Sequence, residues 1–144
     1  MNKSFLIALI VAAGVSLGQT KHETTVASDT VRGSEAAARG KYIVEDVAMC
    51  EQWHTRRTAN GEADRGNWLM GGPLQIRPTY PAPDWALKVP RIAGEPPGTR
   101  DDFIRLLTTG IARTGKPPLP PMHQYHMTRE DAEAVYAYLK TLQP

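Results

Sequence analysis

Cys50-Glu-Gln-Trp-His54 is the stretch on which the reading of this chain turns. Its thiol and imidazole stand four residues apart, a spacing that on a helix sets both on one face, one turn from each other. Cys50 is the only cysteine in 144 residues, so an intramolecular disulfide and any multi-cysteine zinc or iron–sulfur site are excluded. Alone, the string is most simply a buried cysteine and a satisfied histidine near a helix end. Its surroundings have to decide.

Upstream, Ser34 is placed to cap a helix running from Glu35 towards Cys50, with Ile43 and Val47 four apart on one face. Gly40 inside that helix costs about 1 kcal/mol relative to alanine, a cost that makes sense if another helix crosses closely there. Downstream, Thr99-Arg-Asp-Asp102 is a Thr-x-x-acid start followed by Phe103, Leu106 and Leu107, with Gly110 as its stop. Thr128-Arg-Glu-Asp131 repeats the device before a stripe of Ala132, Val135, Tyr136, Leu139 and Leu142. Eleven of the twelve prolines lie between Pro73 and Pro121, which rules out long helices or central strands over most of that region. No run alternates as a sheet strand does. The expectation is an all-α fold with long proline-rich loops.

The length is that of one small domain. Lys and Arg number 17 against 15 Asp and Glu, with no basic run, so a nucleic-acid partner is not expected. Residues 1–18 have the form of an export signal: Lys3, an apolar core from Phe5 to Ala13, and the small-residue end Ser16-Leu-Gly18. The apolar run through Leu17 is short of the roughly 20 residues that cross a bilayer, so cleavage and a periplasmic or otherwise exported soluble product are expected. Residues 19–33 are polar and aperiodic and are expected to form a flexible leader; 34–144 are the domain. A small domain with irregular loops and no disulfide needs a staple, and a buried cofactor is the economical one.

The attachment signature of c-type haem is C-x-x-C-H, in which a thiol holds the macrocycle while the imidazole reaches its iron. Here the first and last positions are Cys50 and His54. Arg39-Gly-Lys-Tyr-Ile-Val44 leading into that segment resembles the first helix of small bacterial class I cytochromes c. His54-Thr-Arg-Arg57, Asn60-Gly61, Arg65-Gly-Asn-Trp-Leu69 and Gly71-Gly-Pro73 resemble the family's loop after the haem motif. Pro117-Pro-Leu-Pro-Pro-Met122 is similar to the loop that presents its distal methionine, and Thr128 to Leu142 to its C-terminal helix. The resemblance covers roughly residues 36–142. It implies a cytochrome c-like fold of three or more helices around one haem c per chain, with Gly40 crossing Tyr136 or Tyr138. It also implies Cys50 as thioether donor, His54 as proximal and Met122 as distal iron ligand. An imidazole and a thioether sulfur favour reduced iron and suit electron transfer. The implied protein is an electron carrier, not an enzyme, serving transient redox partners such as a dehydrogenase, an oxidase or another cytochrome.

Trp53 departs from the family where the second thioether cysteine belongs, and its bulk predicts local overpacking. Three outcomes follow: haem held by one thioether at Cys50, haem bound non-covalently through His54 and Met122, or a haem-free binding or assembly module. Displacement of Met122 from iron would instead give weak peroxidase activity. His54-Thr-Arg-Arg57 names no acceptor for the imidazole's other nitrogen. His123 and His126 flank Met122 as alternative ligands, and with Cys50, His54 and Met122 they make a conceivable copper set, although no β-sandwich is foreseen. Met122 follows two prolines and is expected on extended backbone. Trp68, Tyr80 and Trp85 are candidates to line the haem, Arg65 and Arg77 to pair with its propionates. Asp101-Asp102 and Glu130-Asp131 lie in first turns, where acids complement the helix dipole, and are not catalytic pairs.

Overall fold

The computed structural model describes residues 20–143 and is mostly helical, in keeping with the all-α expectation. Helix α1 spans Thr20–Tyr42 and runs into a π-helical turn, Ile43–Val47. A single turn, α2, follows at Glu51–His54; α3 is Arg100–Thr109 and α4 Arg129–Thr141. Between α2 and α3 lie a 3-10 turn at Arg65–Asn67 and two-residue strands β1 (Gly72–Pro73) and β2 (Lys88–Val89), paired antiparallel. The export-signal segment, residues 1–18, lies outside the described residues.

Both Thr-x-x-acid starts are real caps. Thr99 accepts the Asp102 N–H while Asp102 takes the Thr99 N–H, and Gly110 closes α3 at φ 70°. Thr128 accepts the Asp131 N–H at the start of α4, but the Asp131 carboxylate turns outward to Arg39 of α1 at 3.0 Å. The expected stripe on α4 is buried at Ala132, Val135 and Leu139, with Tyr136 tilted against Phe103 of α3, ring centroids 5.9 Å apart. Ala134 and Tyr138 are buried as well, because α1 covers that second side of α4.

The crossing of α1 and α4 falls at Gly40. A Cβ there would lie 1.9 Å from the Ala134 carbonyl oxygen and 2.8 Å from the Tyr138 Cβ, so only glycine fits without moving a helix. Tyr138 donates its hydroxyl to Glu45, which also pairs with Lys41, so the polar rim of the crossing is closed.

The N-terminal boundary differs from expectation. α1 starts at Thr20, so residues expected as a flexible leader are helical, and Ser34 is interior, its hydroxyl donating to the Val31 carbonyl three residues back. Ser34 therefore satisfies a carbonyl instead of capping N–H groups. Side chains from Asp29 to Glu35 are exposed, and packing begins at Ala36. The far end differs too: the helix does not reach Cys50, because the π turn and Met49, at φ 47°, break it. The core gathers Ile43, Val44, Leu69, Ile92, Phe103, Ile104, Leu107, Val135 and Leu139.

Candidate functional site

The break before Cys50 sets α2 as a separate turn, with the Cys50 N–H held by the Val44 carbonyl at 2.8 Å. The His54 N–H donates to the Cys50 carbonyl at 2.9 Å, so the two residues do sit one helical turn apart. Thr55, buried, ends the turn and accepts the Leu69 N–H on its hydroxyl at 2.9 Å. Leu69, fully buried at φ 57°, offers its carbonyl to the N–H groups of Ile92 and Ala93. The loop of residues 55–71 is thereby laced to the segment 90–93.

Gly71 completes that lacing. Its N–H donates to the His54 carbonyl at 2.7 Å, and a Cβ on it would come within 2.5 Å of the Pro90 carbonyl carbon. This close approach puts the Pro90 carbonyl oxygen 2.9 Å from Nδ1 of His54. A carbonyl can only accept, so Nδ1 carries the proton and Nε2 is left with its lone pair free. The ring is buried, and burial lowers its affinity for a second proton, with the Pro90 bond opposing. A neutral imidazole of fixed tautomer, oriented by a backbone carbonyl, is how proteins prepare a histidine for a metal. Pro90 was not foreseen; the sequence around it, Val89-Pro-Arg-Ile-Ala-Gly94, carries no signal beyond a proline before two apolar residues.

His54 lines a cavity of about 310 Å³, at the small end of the range for ligand sites. Cys50, Trp53, Met122 and His123 line the same cavity, so four of the expected groups and one alternative meet there. The walls are apolar: Ile92, Phe103, Leu106, Leu107, Val135 and Leu139 from the core side, Pro118, Leu119 and Pro121 from the proline-rich loop. Burial pushes the Cys50 thiol up to about 12, with the Glu51 carboxylate acting in the same direction, so it stays protonated at neutral pH. Glu51 itself keeps Oε2 buried without a hydrogen-bond partner, and burial raises its carboxyl.

Trp53 lines two hollows. Its half-buried indole stands between the main cavity and a second hollow of about 60 Å³ beside Arg56 and Gly72. Met122 does not follow an extended proline run: its N–H closes a turn onto the Leu119 carbonyl at 3.2 Å, and the Pro120–Pro121 bond inside that turn is cis. His123 reaches the cavity from an exposed position, while His126 is exposed and outside it. The propionate and lining candidates are elsewhere. Arg65 lies over the Trp68 ring at 4.0 Å, Trp85 donates to the Ile76 carbonyl, Tyr80 is exposed, and Arg77 is off the wall. Among the described residues no three His, Cys, Asp or Glu side chains gather as a metal cluster.

Three lining side chains with polar or sulfur chemistry were missed. Met127, just before the α4 cap, brings a second thioether to the wall, its N–H held by the Leu107 carbonyl. Tyr125 lines the cavity and donates its hydroxyl to the Ala48 carbonyl at 3.3 Å, tying the loop after Met122 to the segment before Cys50. Lys88 of β2 brings an ammonium. Met127 and Tyr125 lie within a few residues of Met122, the nearest thing to a signal for them.

Fold and site together define a mostly helical protein with an apolar cavity furnished with an imidazole, a thiol and thioethers, a donor set suited to haem iron and one covalent tether. Over 35 residues the chain is 46% identical to a protein of Cereibacter sphaeroides described as a dihaem cytochrome c-type. That match takes in 24% of this chain and 12% of the relative's length. No family model matches the chain. The similarity supports a cytochrome c-like relationship over that stretch. Among the described residues no helix is long and apolar enough to cross a membrane.

Proposed function

We propose that the chain is an exported electron carrier of the class I cytochrome c type, with one haem in the cavity that His54 and Met122 would hold through its iron and Cys50 would anchor by a single covalent bond. The observation that carries this reading is the Pro90 carbonyl on Nδ1 of His54, which leaves Nε2 free in a cavity that Met122 also lines. Haem supplies a one-electron iron couple, which an imidazole and a thioether poise toward the reduced state. The chain's own residues hold, orient and shield. Pro90 fixes the imidazole, the Leu119 to Met122 turn presents the thioether, and Phe103, Leu107, Val135 and Leu139 keep water from the core side. Cys50, one helical turn from His54, is the residue placed to form the thioether; tryptophan at position 53 cannot form a second. No bond in a substrate is made or broken, and partners dock transiently.

The test is a haem-stained denaturing gel beside a pyridine haemochrome spectrum of protein made with an intact haem-attachment system. Haem should stay with the denatured chain, with its α band between the two-thioether and free-haem positions. Cys50→Ala should abolish the stain, and Trp53→Cys should move the band to the two-thioether position. Colour that leaves the chain on denaturation overturns the covalent anchor. A folded protein that stays colourless overturns the reading as a whole.

A further inference from the structure

Among the described residues the cavity wall carries one fixed charge, Lys88; no Asp, Glu or Arg lines it. Lys88 is exposed at the rim and enters no ion pair among the described residues. Its backbone is held on both sides. Lys88 pairs with Pro73 across the two strands, the Leu74 N–H donates to the Leu87 carbonyl at 2.9 Å, and the Ala86 N–H donates to the Pro120 carbonyl at 2.8 Å. The last bond stitches the Lys88 segment to the loop that carries Met122.

Other cations of this region are off the cavity wall: Arg91 donates to the Ala93 carbonyl and to Glu95, and Arg56 lies beside Gly72 at the second hollow. An unpaired ammonium fixed at the mouth of an apolar cavity favours a ligand whose body is apolar and whose outer edge is anionic. The cavity is at the small end for a ligand site, so a large occupant leaves that edge at the rim, beside Lys88.

We propose that Lys88 anchors a carboxylate on the outer edge of the cavity's ligand. The inference rests on the haem reading above, the propionates being carboxylates of this kind, and it assigns to Lys88 the role for which Arg65 and Arg77 are out of position.

The full chain made without a haem-attachment system is titrated with haemin and with haemin dimethyl ester, whose carboxylates are masked. The diacid should bind up to about fivefold tighter, the range of one exposed ion pair, and added salt should shrink that preference. Lys88→Gln should remove the preference; Lys88→Arg and the remote Lys140→Gln should keep it. In the haem-loaded chain, carbodiimide should couple the Lys88 amine to a ligand carboxylate as an amide with loss of water, seen by peptide mass. A diacid preference equal in the native chain and Lys88→Gln overturns the proposal, as does coupling at other lysines only. A native chain that binds neither ligand overturns the haem reading itself, whereas equal binding of both overturns the Lys88 anchor alone.

Discussion

Replacing Gly71 by alanine tests the geometry on which the candidate site depends, and Gly61 supplies an internal reference. Both glycines are left-handed, at φ 68° and φ 83°, so alanine at either position carries the backbone penalty of an L side chain there, about 1–2 kcal/mol. A Cβ at Gly61 meets nothing within 4 Å, and that penalty is the whole effect. At Gly71 the Cβ would lie 2.5 Å from the Pro90 carbonyl carbon and 2.6 Å from both the Arg91 nitrogen and the Val89 oxygen. These are backbone atoms that cannot rotate aside. Relieving the overlap has to move residues 89–91, adding roughly 1–3 kcal/mol of overpacking strain. Gly71→Ala should therefore lose about 2–5 kcal/mol in urea unfolding at unchanged m, against about 1–2 kcal/mol for Gly61→Ala. The Pro90 oxygen moves with its carbon, so the His54 Nδ1 proton should exchange faster in Gly71→Ala and be unchanged in Gly61→Ala. Equal losses, or an unchanged Nδ1 signal, would refute the close approach as the device that aims His54.

Gly40→Ala gains about 1 kcal/mol of helix propensity, but its Cβ would sit 1.9 Å from the Ala134 carbonyl oxygen; at the upper end of overpacking strain, about 3 kcal/mol, the net loss read from the unfolding midpoint is about 2 kcal/mol. Burial lowers the His54 pKa below its ordinary 6.5, so in ligand-free chain the unfolded state takes up that proton first. Stability should fall as pH drops through and below that value, and His54→Gln should flatten the fall. Cys50 is shifted the other way, from 9.0 to about 12, so the unfolded chain loses its proton first and stability should decline as pH rises above about 9. At pH 8 the ligand-free folded chain should resist iodoacetamide at Cys50 and react once urea unfolds it; fast labelling of folded protein would contradict the burial.

The elements written in local code were legible. Thr99, Asp102 and Gly110 bracket α3, and Thr128 with Asp131 opens α4, because caps are satisfied by residues three apart and need no tertiary information. Gly40 was legible as a crossing because a mid-helix glycine is costly unless something approaches it. The start and end of α1 were not. Ser34 has the composition of a cap, but its hydroxyl bonds backwards, and the stop at Met49 depends on a π turn and a left-handed residue that no local pattern announces. Met122 shows a related failure: two prolines fix φ and argue for extension, yet the Leu119 to Met122 turn closes over them.

The candidate site was legible in three of its lining residues and illegible in their supports, and the division has a physical basis. Cys50, His54 and Met122 stand out by side-chain chemistry together with the sequence around them, and the structure brings all three to one cavity. What readies His54 is a backbone oxygen 36 residues away, and every peptide unit has one. Only the folded path of residues 69–93, with Leu69 laced to Ile92 and Gly71 pressed against Pro90, selects which carbonyl it is. The same holds for Lys88: a lysine among the 17 cations of the chain acquires meaning through its place on an otherwise uncharged wall. Trp53 shows the converse. Its bulk argued for a crowded motif, but volume decides only where the space is already full, and the indole lies between two hollows. Tryptophan at position 53 can form no thioether, so on the proposed reading the state of the Cys50 sulfur would separate a tethered haem from a loosely held one.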